Sequence, residues 1–222
     1  MNISIKQNEI TRGRLLEHYR RYSRLELEDV LKFLFQSSFG CEHLLADRDA
    51  ALEYIKQEYA GVDNSLPPLV EQLDGDYSRV HLSWLGAGLS AETLTSLFVL
   101  SAKKEPHGRE ALEEKLAVAR ELILEGKLTL DIGHFDATVA KWRELGYPAI
   151  RHSEAFRASY RPAYRVVESR FAKILPILSR IDTLLARGEQ NIALDGVTAE
   201  QRSALEPILA QIYGDSTDIR LI

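Results

Sequence analysis

One cysteine, Cys41, is the only thiol in this 222-residue chain. A single thiol excludes an intramolecular disulfide and a cysteine-rich zinc site, and it fits a reducing compartment. A basic surplus is missing as well: 28 lysines and arginines stand against 33 aspartates and glutamates, for a formal net charge of -5. That argues against nucleic acid as a partner, because non-specific binding needs a dominant basic face. Long apolar runs are also absent. The most apolar stretch, residues 94–102, is too short to span a bilayer, and MNISIKQNEI lacks the apolar core of a signal peptide. The expectation is a cytoplasmic protein without membrane contact. Neither a repeat of solenoid period nor a low-complexity segment interrupts the chain. With 45% hydrophobic and 27% charged residues, it reads as globular, long enough for one large domain or a domain with an appendage.

Helical periodicity dominates what is present. Leu15, Leu16 and Tyr19 recur at helical spacing within residues 10–22, and Leu27, Val30, Leu31, Leu34 and Phe35 make a second apolar stripe. Asp47 or Asp49 as a cap and Gly61 as a stop predict a third helix. After Pro67-Pro68, short apolar/polar alternations flank Asp74-Gly75, which predicts a β-hairpin near 69–82. Ser90 with Thr93 opens a helix that Pro106-His107-Gly108 interrupts. Residues 109–126 form another, ended by Gly126, and residues 135–145 one more. Residues 163–186 read as a long amphipathic helix kinked at Pro176. Beyond Gly188, NIALDG reads as a strand, TAEQRSALEPILAQIYG as a helix and TDIRLI as a strand. The expected fold is therefore mainly α (α+β): a helical domain over 1–188 with an inserted hairpin, and a βαβ-like tail over 189–222.

The stretch IALDGVTAEQRS, residues 192–203, invites comparison with the phosphate-loop pattern G-x-x-x-x-G-K-[ST]. Gly196 and Ser203 match, while Gln201 stands at the second glycine and Arg202 at the lysine. Glycine lets backbone approach the phosphates, and lysine supplies a compact ammonium that arginine does not reproduce. Thr198 with Gln201 instead reads as a capping box opening an ordinary helix. The run IALDG…LAQIYG…IR resembles the first strand, loop and helix of a uridine-kinase-like P-loop domain. FQSSFGCEHLL, SRVHLSWL, LTSLFVLSA and HSEAFRASYRPAYRVV likewise resemble a helical domain of poorly characterised bacterial proteins, some with such a kinase-like domain downstream. The resemblance covers about residues 10–188 and implies a helical body ahead of a degenerate kinase-like start. It brings no known activity, and neither nucleotide-binding nor catalytic residues carry over. With few residues after Ser203, no kinase activity is expected.

The densest polar stretch is RHSEAFRASYRPAYR, residues 151–165, which interleaves His152, Ser153, Arg157, Tyr160, Arg161, Tyr164 and Arg165. Pro162 reads as the first residue of a helix, which would put Arg161 at a helix entrance where backbone N–H groups favour an anion. Arginine forks suit phosphate or carboxylate, and tyrosines add hydroxyls or a stacking face. Two other segments carry candidates. His43 follows Gly40 at a break, and strand alternation puts Arg79 and His81 on one face, opposite Val80 and Leu82.

The leading expectation is a binding module for an anionic small molecule, phosphate- or carboxylate-bearing, held by Arg79, His81, Tyr160, Arg161, Tyr164 and Arg165. An alternative is an enzyme using His43 or His152 as general acid/base in the same pocket. A third is a non-catalytic interaction module whose tail docks on a second copy or a kinase-like partner. Zinc held by His43, His81 and His152 with Glu42 or Glu154 lacks HExxH or paired-cysteine spacing, so neither metal nor cofactor is expected. Ser153 lacks the G-x-S-x-G elbow of a hydrolase, and Cys41 reads as a small buried hydrophobe.

Overall fold

The computed structural model describes residues 3–41, 47–102, 106–214 and 218–221. Its elements run α1 (Ile3–Arg21), α2 (Leu27–Phe39), α3 (Arg48–Tyr59), β1 (Val70–Gln72), β2 (Tyr77–His81), α4 (Ala91–Ala102), α5 (Gly108–Leu124), α6 (Ile132–Glu144), α7 (Glu154–Tyr160), β3 (Tyr164–Glu168), α8 (Ser169–Lys173), α9 (Leu175–Leu185), β4 (Asn191–Leu194), α10 (Ala199–Tyr213) and β5 (Asp218–Leu221). The fold is mainly α with a small β component, as expected. No helix among the described residues is long and apolar enough to cross a membrane.

The predicted hairpin forms, with β1 and β2 antiparallel and Val70 opposite Val80. Asp74 shapes its turn: one carboxylate oxygen accepts from the backbone N–H groups of Asp76 and Tyr77, both at 2.8 Å. The other oxygen receives Lys115 Nζ at 2.9 Å, and both side chains are buried. Caps also fall where the sequence places them. Asp47 accepts from the N–H of Asp49 and Ala50, and Ser90 Oγ accepts from Thr93 N.

Residues 163–186 depart from the predicted kinked helix. Tyr164–Glu168 is a third strand, antiparallel to β2, and two separate helices follow it. Pro176 lies in the first turn of α9, where a missing N–H costs nothing, so it begins a helix rather than bending one. Pro162 likewise opens no helix. The strand wins because Val166 and Val167 are both buried but belong to different apolar clusters, an arrangement that a period of two supplies and a period of 3.6 does not.

The sheet β1-β2-β3 thus lies between two cores. On one side Tyr77 and Val166 join Phe33, Leu34, Leu112, Leu116, Leu122, Phe135 and Trp142 from α2, α5 and α6. On the other, Val80 and Val167 join Ile55, Leu94, Leu97, Phe171, Leu175, Leu178 and Ile181. The tail adds Ile192, Leu205, Ile208 and Leu209 to this second core, and Tyr213 donates its hydroxyl to Asp182 at 2.9 Å. Strands β4 and β5 pair in parallel around α10. At the start of α10 the capping box is present: Thr198 Oγ1 accepts from Gln201 N, and the Gln201 amide oxygen accepts from Thr198 N.

Candidate functional site

The site starts from α2, whose apolar face is interrupted by Asp29, Lys32 and Gln36 at helical spacing. Asp29 and Gln36 are buried there. Burial pushes the Asp29 carboxyl upward, but donors outweigh it and leave the group below its ordinary range. One oxygen takes His152 Nδ1 at 2.7 Å and Ser153 N at 3.0 Å. The other takes Ser153 Oγ at 2.7 Å and Glu26 N at 3.0 Å. Ser153 also caps α7 by accepting from Phe156 N, so its hydroxyl serves as a fastener rather than a nucleophile.

His152 continues from this carboxylate. Its ring stacks on Phe156 with centroids 4.3 Å apart, and its Nε2 lies 2.7 Å from the Tyr164 hydroxyl. Burial, reinforced by the charges of Arg79 and Lys32 against Asp29, holds the imidazole at about 4, so it is neutral at pH 7. With Nδ1–H donating to Asp29, Nε2 accepts from Tyr164 O–H. Burial pushes Tyr164 up to about 12, which keeps that proton in place.

Arg79 backs this chain. It is buried, with its guanidinium 4.7 Å over the Tyr164 ring and 5.5 Å from the Phe33 ring. Its Nε donates to Gln36 Oε1 at 2.8 Å and its Nη1 to Glu71 Oε2 at 2.9 Å, across the β1-β2 register. Glu71 also meets His18 Nδ1 at 2.7 Å. Burial raises the Glu71 carboxyl, but His18 and Arg79 overcome it and hold the group at about 2.

Three hollows line up along the C-terminal end of α3. The first, about 440 Å³, is walled by Lys32, Glu58, Arg151, His152, Arg157 and Arg161. The second, about 560 Å³, shares Glu58 and is walled by Gln36, Tyr54, Phe98, Tyr164 and Arg165. The third, about 170 Å³, shares Arg161 with the first and adds Asp63, His81 and Tyr160. In the first hollow, four cations face one carboxylate. That carboxylate, Glu58, already takes Arg165 Nη1 at 2.6 Å. Among the described residues, no side-chain ion pair within 4 Å engages Lys32, Arg151, Arg157 or Arg161. Burial first, then the charge of Arg79, lowers Lys32 to about 8, and its Nζ donates to the Ile150 carbonyl at 3.0 Å.

Of the residues singled out in the sequence, Arg79, His152 and Tyr164 meet in one network, while Arg161 walls the first hollow and Arg165 the second. Tyr160 walls the third hollow, its hydroxyl accepting from Arg24 N at 3.1 Å. His81 is not part of the network; it caps the short 3-10 turn Leu82–Leu85 by accepting from Ser83 N. Both faces of β2 are covered, so alternation does not divide buried from exposed there: Arg79 and Val80 are both buried. Glu42 and His43 lie outside the described residues. Arg161 requires a correction, because it sits past the C-terminal end of α7, in a left-handed conformation with φ 42 and ψ 57, and not at a helix entrance. The tight reversal into β3 demands that backbone, and any effect of α7's dipole there is negative.

Sequence reasoning missed Asp29, Lys32, Gln36, Glu58 and Arg151. The signal that could have found the first three is the polar spacing inside an apolar helix stripe. Among the described residues, no cluster of three or more His, Cys, Asp or Glu side chains could hold a metal. No protein-family model matches the chain, and no curated protein or solved structure matches it either.

Proposed function

We propose that this protein binds a small anionic molecule, bearing phosphate or carboxylate, in the hollow between α2, α3 and α7. The observation that carries the reading is the set of four cations without ion-pair partners among the described residues, Lys32, Arg151, Arg157 and Arg161, around about 440 Å³ of space. That volume falls in the range of small-molecule sites. In a chain of net charge -5, such a local excess of positive charge favours an anion in this hollow and supports the reading. Arg165 assists indirectly by neutralising Glu58, the one carboxylate on the wall. A cytoplasmic setting agrees with the buried lone Cys41.

Thermal-shift titration tests the reading. Inorganic phosphate raises the melting temperature, since a ligand selective for the native state stabilises it by mass action. The shift is lost in the Arg157→Ala/Arg161→Ala double variant and unchanged in Arg202→Ala. A phosphate shift that survives the double variant rules the hollow out.

A second reading is favoured by one feature, the Asp29, His152, Tyr164 chain, of which His152 reaches the hollow's wall: a carboxylate-oriented, neutral imidazole is the arrangement of a general base. Phosphate-protected catalysis abolished by His152→Gln, with the melting temperature kept, supports it.

A further inference from the structure

We propose that Lys32 Nζ captures carbonyl carbon, so that the ligands of the hollow include aldehydes or ketones carrying a carboxylate or phosphate, held as imines. This rests on the anion-binding reading of the same hollow. Three features of the geometry support it. Lys32 projects from a regular helix, and its only acceptor among the described residues is the Ile150 carbonyl, with no carboxylate within ion-pair distance. Arg151, Arg157 and Arg161 wall the same space and supply forked donors for the anionic end of a ligand whose carbonyl lies toward Lys32.

Lys115, which is buried, behaves differently. Lys115 is locked between Asp74 at 2.9 Å and the Ser37 carbonyl at 2.6 Å, which leaves its ammonium saturated. The charged and titratable groups around Lys32 are Asp29 on its own helix, Arg79 on β2, Arg151 and His152 before α7, Arg157 on α7, Arg161 after it and Glu58 on α3. Burial and the two arginines favour the neutral amine over the ammonium, which Asp29 opposes. Lysines activated for imine formation are made in this way, by desolvation and neighbouring cations.

The step balances without an oxidant or reductant. The ammonium first gives one proton to water, and the freed nitrogen pair forms a bond to the carbonyl carbon while the C=O π pair moves to oxygen. Transfer of a proton from nitrogen to that oxygen gives a carbinolamine. The nitrogen pair then forms C=N as the C–O bond breaks, and the departing hydroxide takes back the first proton as water. Ammonium plus carbonyl compound becomes protonated imine plus water, with charge conserved.

The full chain is incubated at pH 7.5 with glyoxylate and cyanoborohydride, and carboxymethylated lysines are mapped by peptide mass. Lys32 is expected to be modified at least about tenfold faster than the exposed Lys127 and Lys141, because the arginines of the hollow hold the carboxylate of glyoxylate beside its amine. Inorganic phosphate slows that labelling, and acetaldehyde, which has no anionic group, shows no such preference. Lys32→Arg removes the adduct; the wild-type map stands alone if that variant folds poorly. Labelling spread evenly over the lysines, while phosphate still raises the melting temperature, overturns the imine and leaves the anion site intact. Even labelling without any phosphate shift removes both. Preferential labelling by acetaldehyde as well overturns the assignment of an anionic substrate class.

Discussion

Asp29 takes four donors with two oxygens, so its loss is expensive in a specific way. Asp29→Ala strands the His152 Nδ1–H and the Ser153 hydroxyl and N–H in a buried place. We expect a loss of roughly 3 kcal/mol in urea denaturation, the usual consequence of removing one partner from a buried charged network. His152 gives a prediction in pH. Its folded value of about 4 lies below its ordinary 6.5, so between those limits the unfolded chain binds a proton that the folded chain refuses. Stability therefore falls as pH drops from 6.5 to about 4, by at most roughly 3 kcal/mol. His18, also lowered by burial, adds to the same slope. Glu71 acts in a separate window, because its stabilisation is complete above 4.5 and fades only as pH falls toward about 2. His152→Gln should flatten the stability profile above pH 4 and leave the acid limb unchanged; an unaltered slope above pH 4 would show that the imidazole titrates normally. At this scale the sequence marked a stretch that supplies walls of the hollow, but not its partners. Residues 151–165 announce themselves by density, whereas Asp29 and Lys32 look like ordinary helix polar positions until the fold puts residues 150–153 beside them.

Elements show why some structure was legible and some was not. Helix starts carry local chemistry, and the caps at Asp47, Ser90 and Thr198 act on backbone within three residues. The β-turn at Asp74-Gly75 is local too. Strand β3 has no such mark, because its pairing with β2 spans more than eighty residues of sequence and YRVVE fits either period. The buried pair of Lys115 and Asp74 ties the hairpin turn to α5. Lys115→Met alone should cost about 3–5 kcal/mol by leaving Asp74 charged and unpaired. The double variant with Asp74→Asn, which retains the turn's acceptor, should recover most of that in equilibrium unfolding. At α10, Thr198→Ala should cost about 1 kcal/mol. With Gln201 occupied in that cap, ATP should give no thermal shift that depends on Arg202.

For the whole molecule, the three-stranded sheet is one layer shared by two cores, and each core has one tryptophan: Trp142 in the first and Trp84 against the second. A shared layer couples the two halves, so Trp84→Phe and Trp142→Phe, each reporting through the remaining indole, should show fluorescence midpoints that coincide with far-ultraviolet circular dichroism. Separate midpoints would mean that the cores melt independently and the sheet belongs to one of them. This level was hardest to read in advance. Neighbouring valines facing opposite cores produce no amphipathic pattern, and the hollow itself is assembled from the consecutive helices α2 and α3 and from α7, which follows α3 only at Glu154.

Arg161 carries the last consequence. A residue other than glycine or asparagine in a left-handed backbone costs roughly 1–2 kcal/mol, and a reversal after a helix is where glycine is ordinarily found. Arg161→Gly should therefore yield a sturdier protein that grips phosphate more weakly. The chain would then be holding a conformational spring under tension for the sake of one guanidinium, which is how a working surface differs from mere scaffolding.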